Sequence, residues 1–301
     1  RGRARVRRGR DARHRTRMSR RRLAAAGLSV LALAGCTRGV VEGGDPTASA
    51  GIPPAVTVAT ADFPSFWLAE KIGGDAVEVE SVGPSEVAGT DADLFAYVPG
   101  IDAEVDAAAA TLPADRVVDL SEDVSRIGSP RDVEVKDPYI WFDPVNISTM
   151  AQTLGTAMSK ANPAAFEAYQ FYGLRTISVQ SEALQVDQRL QEQLNPCRVA
   201  TLVVEAPVLT YFARAYAFDQ VPLISWEPAN DPVPALYYTI DAEAAVRKAA
   251  GANGAQSIGV DTLTESAPED DLLQGLLDLG DEVARHQNCP LVTPSSSDRP
   301  G

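Results

Sequence analysis

The side chains best suited to chemistry in this 301-residue chain are few in kind. Histidine occurs twice, as His14 and His286, and cysteine three times, as Cys36, Cys197 and Cys289. Carboxylates are abundant, 41 Asp plus Glu, so a ligand site beyond residue 36 has to be built chiefly from oxygen. No Gly-x-Ser-x-Gly turn, phosphate-cradling loop or nucleophile with a paired histidine occurs, which argues against an enzyme. The most constrained stretch is Asp137-Pro138-Tyr139-Ile140-Trp141-Phe142-Asp143-Pro144. Each proline pushes the aspartate before it out of the helical region. Pro144 suits a first helical turn, where its missing N–H is not needed. Four apolar or aromatic residues lie between the two Asp-Pro steps, so the stretch reads as a short buried strand delivering side chains to a chain reversal. Trp141 and Phe142 read as core, because aromatic rings bury much apolar area. Trp226-Glu227-Pro228 suits either a cleft wall or the cover of a strand end. Glu269-Asp270-Asp271 reads as a solvated helix start, where negative charge meets the helix dipole favourably.

The elements that position these residues alternate in type. Residues 55–60 and 77–82 read as strands around a helix over 66–72 that Gly73-Gly74 ends. A third strand over 93–98, with little room for a helix before it, leads to an Ala-rich helix over 102–112 and a short strand over 116–120. Residues 145–160 are helical and stop at Asn162-Pro163. From Ala164 to Leu194 the pattern is one long helix of roughly 45 Å at 1.5 Å per residue. Phe166, Gln170, Gly173, Ile177, Ser181, Leu184 and Leu194 fall near one of its faces. A second α/β pattern follows Asn195-Pro196: strands over 198–204, 221–225, 236–240 and 257–260, with helices over 208–216, 243–250 and 271–286. His286, alone on the last of these helices, reads as a solvated side chain. Strands alternating with helices argue for parallel sheets flanked by helices. The expectation is an α/β protein of two lobes, with mostly parallel sheets, joined by one long linking helix.

Charge is unevenly placed. Residues 1–35 hold twelve arginines and one acid, Asp11, which leaves 15 basic against 40 acidic residues and a formal net of −25 for the remainder. A body that acidic does not hold nucleic acid by neutralising phosphates. Met18 is followed by the basic run Ser19-Arg20-Arg21-Arg22, a short apolar run over 23–33, and Leu33-Ala34-Gly35-Cys36. The apolar run is too short for a permanent span, which favours a cleaved signal. The Leu-Ala-Gly-Cys step resembles the lipobox of bacterial lipoproteins, in which the cysteine is lipidated and becomes the first mature residue. Residues 1–17 then read as sequence upstream of a start at Met18. Residues 37–54, rich in Gly, Ser, Thr, Ala and Pro, read as a flexible tether. Cys197 and Cys289 bracket the C-terminal half, and an exported compartment permits a disulfide between them.

Several segments, in order, resemble the solute-binding proteins of bacterial metal-type (zinc and manganese) ABC importers. Phe63-Pro64 and Ala69-Glu70-Lys71-Ile72-Gly73-Gly74-Asp75 resemble that family's first strand–helix unit, and Asp91-Ala92-Asp93-Leu94 its next strand. Residues 137–144 resemble its Asp-Pro-His-x-Trp-x-Asp-Pro segment. Asn162-Pro163 with Tyr169 resembles the opening of its linking helix, and residues 211–216 the helix after its third ligand. The likeness runs from Val56 to Gln287. It implies an N-terminal lobe over 55–163, a linking helix over 164–195, a C-terminal lobe over 196–290 and a disordered tail over 291–301. In that family three histidines and one carboxylate close on a divalent ion.

This chain departs from the pattern at most ligand positions. The loop over 83–91 holds no histidine, Tyr139 replaces the second, and Ala206, beside Glu205, stands at the third. Asp241 matches the fourth. Tyr139, Glu205 and Asp241, with Asp137 or Asp143 nearby, form an oxygen set suited to manganese, magnesium or calcium. A tyrosine that keeps its proton at pH 7 is a poor ligand for such ions. The alternative is that both aspartates cap turns and Tyr139 fills the vacated space.

The resemblance therefore implies an extracytoplasmic binding component, monomeric, lipid-anchored on the outer face of the cytoplasmic membrane, and working with an ABC permease. Its cargo is a divalent ion, or else another small solute such as a chelate. A third possibility is a degenerate paralogue that binds no metal and acts as an accessory or adhesive surface lipoprotein.

Overall fold

The computed structural model describes residues 56–129, 132–162, 166–239, 242–265 and 270–290. Cys36, the tether, Asp241 and the tail beyond Pro290 lie outside these residues.

Strand β1 (Val56–Thr60) leads into α1 (Phe63–Gly73), β2 (Val77–Ser81), the one-turn α2 (Pro84–Val87) and β3 (Leu94–Tyr97). Helix α3 (Ala103–Ala109), β4 (Val117–Asp119), and a short antiparallel pair, β5 (Gly128–Ser129) with β6 (Asp132–Lys136), complete the first half. Helices α4 (Pro144–Ala161) and α5 (Phe166–Leu194) follow. The second half runs β7 (Thr201–Val204), α6 (Thr210–Ala215), β8 (Asp219–Pro222), β9 (Ala235–Tyr238), α7 (Glu243–Asn253), β10 (Gln256–Gly259) and α8 (Leu272–His286).

Both four-stranded sheets are parallel, in the orders β2-β1-β3-β4 and β8-β7-β9-β10. These are the same order, so each half is wound alike and the expected pair of α/β lobes is present. Alternation along the strands explains the layering. Val56, Val58, Leu94 and Ala96 of the first sheet, and Leu202, Val204, Ala235 and Tyr237 of the second, face one continuous apolar core. The intervening Ala59 and Phe95 face a second cluster with Val105 and Ala109 of α3. Val203, Leu236 and Tyr238 face a third with Val246 and Ala250 of α7.

Helix α5 is unbroken over 29 residues and packs on α1, α4 and α8. It approaches two of them at glycine. A Cβ added to Gly155 of α4 would lie 2.1 Å from Thr176 Oγ1, and one added to Gly280 of α8 would lie 2.2 Å from Leu190 Cδ2. Alanine, worth about 1 kcal/mol over glycine in an ordinary helix interior, is thus barred from these positions by the packing.

Four sequence expectations need correction. Residues 140–142 form a single 3₁₀ turn and not a strand; the Asp137 carboxylate turns the chain by accepting the Tyr139 N–H at 2.9 Å. The buried face of α5 is Tyr172, Thr176, Val179, Ala183, Val186, Leu190 and Leu194, whereas Ile177 and Leu184 are exposed. Apolar residues lie on both sides of this helix, and the close approach at Gly155 and Gly280 selects the side with small residues. Helix α1 begins three residues earlier than expected because Asp62 caps it, accepting from the Ser65 N–H at 2.8 Å. His286 is mostly covered, not solvated: its side chain is 14% exposed and lies 3.2 Å from Glu282. The hairpin of β5 and β6 carries no strong alternation and does not show in the sequence pattern.

Trp226 takes one of its two alternatives. It packs with the cluster behind the second sheet and donates its indole N–H to the Asp231 carbonyl at 2.7 Å. Cys197, after α5, and Cys289, after α8, are joined as a disulfide that ties the two helix ends together.

Candidate functional site

Equal winding gives each sheet one place where connections depart to opposite sides, between β1 and β3 and between β7 and β9. Crevices for ligands form beyond the strand C-termini at such points. In the first sheet this place is closed by the chain itself. Asp62, 7% exposed, accepts hydrogen bonds from the Ser65 N–H, the Ser65 hydroxyl (2.6 Å) and the Val98 N–H (2.9 Å), so its cap knits the ends of β1 and β3 together. Burial pushes its carboxyl above the usual carboxylate range, with these three bonds opposing the rise. What remains is a small pocket of about 270 Å3 against Ala61, Asp62 and Phe66.

Beyond β7 and β9 the crevice is open. A pocket of about 790 Å3 is lined there by Ala206, Tyr238, Thr239 and Glu243, by the strand-following loop with Asp261, Thr262, Thr264 and Glu265, and by Tyr139 from the first half. Thr264 and Glu265 also line the smaller pocket.

Tyr139 is held at the pocket by its neighbours. Its ring meets Trp141 edge-on at 5.4 Å between centroids, and Trp141 and Phe142 are fully buried. Asp137 and Asp143 on either side serve the backbone: Asp137 accepts from the Tyr139 N–H, and Asp143 caps α4 by accepting from the Val145 N–H at 2.9 Å. Burial and the nearby Asp137 raise the Tyr139 hydroxyl above its ordinary value, so it keeps its proton at neutral pH. The Asp137 carboxyl is itself raised by burial, an effect that Thr210, the Tyr139 N–H and Arg126 partly offset.

The opposite wall is strapped to the first half. Trp141 donates its indole N–H to the Thr262 carbonyl at 3.1 Å, and the Phe63 N–H donates to the Thr264 carbonyl at 3.0 Å. Between these anchors Leu263 adopts φ 54°, a left-handed conformation that costs a non-glycine residue about 1–2 kcal/mol. Asp261 holds the turn by accepting the Leu263 N–H at 2.9 Å, and the Leu263 side chain sits in the continuous core. A salt bridge at 2.9 Å from Lys71 of α1 to Asp271, the cap of α8, adds a third tie.

Of the residues expected from the sequence, Tyr139 lines the pocket. Glu205 sits one residue behind it, accepting from the Thr239 hydroxyl at 3.2 Å, and Ala206 takes the wall. Asp241 lies outside the described residues. Sequence reasoning misses Asp261, Glu243 and Glu265; Asp261 has a legible signal, since it is the first carboxylate after an expected parallel strand. Among the described residues, no three Asp, Glu, His or Cys side chains converge as a metal ion requires.

Two similarly wound lobes with a long helix between them make a fold that solved structures share. The fold matches a crystal structure of ZnuA with a TM-score of 0.64 at 20% identity, covering 77% of this chain and 99% of that one. It matches a mutant structure of the laminin-binding adhesin Lmb of Streptococcus agalactiae at 0.66 and 18%, over 77% and 100%. It also matches a Zn(II)-bound mutant variant of AdcAII of Streptococcus pneumoniae at 0.65 and 18%, over 77% and 99%. A comparison with curated proteins finds no match. Residues 58–251 match the family described as zinc-uptake complex component A, periplasmic (ZnuA), and the chain belongs to that family. Its members are transport binders and not enzymes; zinc is their cargo and an ABC permease their kind of partner.

Trp141→Phe keeps the packed ring and removes the N–H that holds Thr262. Hydrogen exchange at Leu263–Glu265 is expected to rise about fivefold, as loss of one hydrogen bond worth about 1 kcal/mol implies, with exchange in β7 and β9 unchanged. Equal exchange in the loop would show that Phe63 alone suffices.

Asp143 supplies a pH signature. Burial raises its carboxyl, Asp187 raises it further, and the Val145 N–H, Arg214 and the Asn146 N–H oppose the rise. A raised folded-state value means that folding favours the proton, so stability falls as pH rises from the unfolded value, about 4, through the folded one. Asp143→Asn keeps the cap acceptor and removes the charge. It is expected to raise the urea midpoint at neutral pH and leave it unchanged at about pH 3, below both values.

Proposed function

We propose that this chain is the extracytoplasmic solute-binding component of a metal-type ABC importer, holding its solute in the pocket between Tyr139 and the Asp261–Glu265 loop. One observation carries the reading: in a member of the family, the open crevice beyond β7 and β9 is faced by an aromatic side chain from the other half. The lobes span residues 55–163 and 196–290, with 164–195 linking them. The continuous core and the Trp141 and Phe63 straps favour small lobe shifts on release over a wide hinge motion.

The residues do not form a three-histidine site. Zinc favours imidazole and thiolate; beyond Cys36 the chain's one histidine is His286, on α8 beside Glu282, and its two cysteines are bonded to each other. A divalent ion bound here would rely on oxygens, with Asp241, Glu205 and Tyr139 the set drawn from family positions and Asp261 a further carboxylate at the wall. A second reading, an accessory or adhesive surface lipoprotein that binds no metal, is favoured by the same lack of imidazole.

Elemental analysis of protein purified without chelator, followed by calorimetric titration with Mn(II) and Zn(II), separates the cargo readings. Stoichiometric metal that Asp241→Ala removes supports a metal cargo at the family position. No bound metal and no thermal shift with any divalent ion excludes it.

Cys36 is the proposed lipid attachment point, with the signal starting at Met18, residues 37–54 as the tether and the outer face of the membrane as the location. No helix among the described residues is long and apolar enough to cross a membrane. Palmitate fed to expressing bacteria is expected to label the wild-type protein, and Cys36→Ser to lose both the label and membrane association. Equal labelling of the two would remove the anchor from the proposal.

A further inference from the structure

The charge and shape of the open pocket narrow the chemical class of the solute. Three carboxylates, Glu243, Asp261 and Glu265, line it, and no Lys, Arg or His does so among the described residues. The smaller pocket continues from Thr264 and Glu265 to Asp62, again without a basic side chain. The other polar side chains among the lining residues carry hydroxyls: Tyr139, Tyr238, Thr239, Thr262 and Thr264. Carboxylates only accept hydrogen bonds when ionised, and hydroxyls can accept as well as donate. The matching solute is positively charged and rich in N–H donors.

Size and spacing then distinguish among cations. A bare hard ion draws six or more oxygens to within about 2.0–2.6 Å of one point. Here no three such side chains converge among the described residues, and the carboxylates line a pocket of about 790 Å3. Pockets of roughly 300–1,000 Å3 are those that enclose small molecules. Tyrosine faces attract cationic groups within about 6 Å, and Tyr139 and Tyr238 both contribute to the wall. One of the three acids is already engaged, since Glu243 pairs with Arg247 on the surface of α7. Asp261, one oxygen of which also accepts the Leu263 N–H, and Glu265 are the pair on the strapped loop that meets the solute.

We propose that the pocket binds a small organic cation carrying two or more ammonium or guanidinium groups, with Asp261 and Glu265 as its anionic contacts and Tyr139 against its aliphatic or cationic body. This rests on the reading of the pocket as the solute site.

The test is calorimetric titration of the purified protein, freed of metal with EDTA and then of EDTA. Spermidine and agmatine are the probes; MnCl2 and ZnCl2 form a second arm, and citrate and aspartate an anionic one. Saturable one-to-one binding of spermidine or agmatine is expected, weakening as NaCl is raised. Glu265→Gln, at an exposed position, and Asp261→Asn, which keeps the acceptor for the Leu263 N–H, are each expected to weaken it about fivefold. Binding unchanged in both variants would overturn the placement of the site. Stoichiometric Mn(II) or Zn(II) binding with no response to either organic cation would overturn the solute class and leave the solute-binding reading standing. Binding of citrate or aspartate alone would overturn the class as well. No binding in any arm would overturn both.

Discussion

The constraint on which the rest depends is that the inner faces of two parallel sheets share one hydrophobic core. Val58 and Leu94 from one sheet, Leu202 and Tyr237 from the other, and Trp141 and Phe142 between them belong to a single buried cluster. At about 25 cal/mol per Å2 of apolar area removed from water, exposing such a core by parting the lobes widely would be costly. The two halves therefore behave as one packed body with a crevice at its rim. Helix α5 completes this arrangement by meeting α4 and α8 at glycine, where only a bare Cα lets the helices come so close.

The crevice takes its character from the same packing. Trp141 is buried because it fills the core, and its one polar atom must find a partner there; it finds the Thr262 carbonyl. A core residue thereby positions a pocket wall, and the left-handed Leu263 is the local cost of that strap. The two switch points, equivalent by winding, have diverged: Asp62 caps and closes the first, and Ala206 leaves the second open. An acidic body with an acid-lined pocket draws cations and repels anions at long range, in keeping with a family whose cargo is a metal ion. Among the described residues the pocket is lined by carboxylates and hydroxyls, whereas zinc favours imidazole and thiolate.

Much of this is legible without coordinates. The order of strands and helices, the long α5, the turn-making role of Asp137 and Asp143 and the burial of Trp141 all follow from local rules: alternation, capping, proline sterics and aromatic area. These depend on neighbours within a few residues. The 3₁₀ turn at 140–142 reads locally as a strand because aromatic and β-branched residues favour extended backbone on average, and the Asx turn at Asp137 overrides that preference. The buried face of α5 is hidden from sequence because Leu174, Ile177 and Leu184 are apolar yet exposed, and small Thr176 and Ala183 are buried.

The amino-acid sequence by itself determined the α/β winding, the family, the acidic character and the want of imidazole, because composition and short-range pattern carry each of these. Tertiary structure alone decided which carboxylates stand at the pocket, that Glu205 lies behind Thr239, and that Asp261 shares a pocket with Tyr139 across more than a hundred residues of chain. Such neighbours are brought together by the register of two sheets and the phase of the helix between them. Those are set by how side chains fit across elements, and no local pattern records that fit.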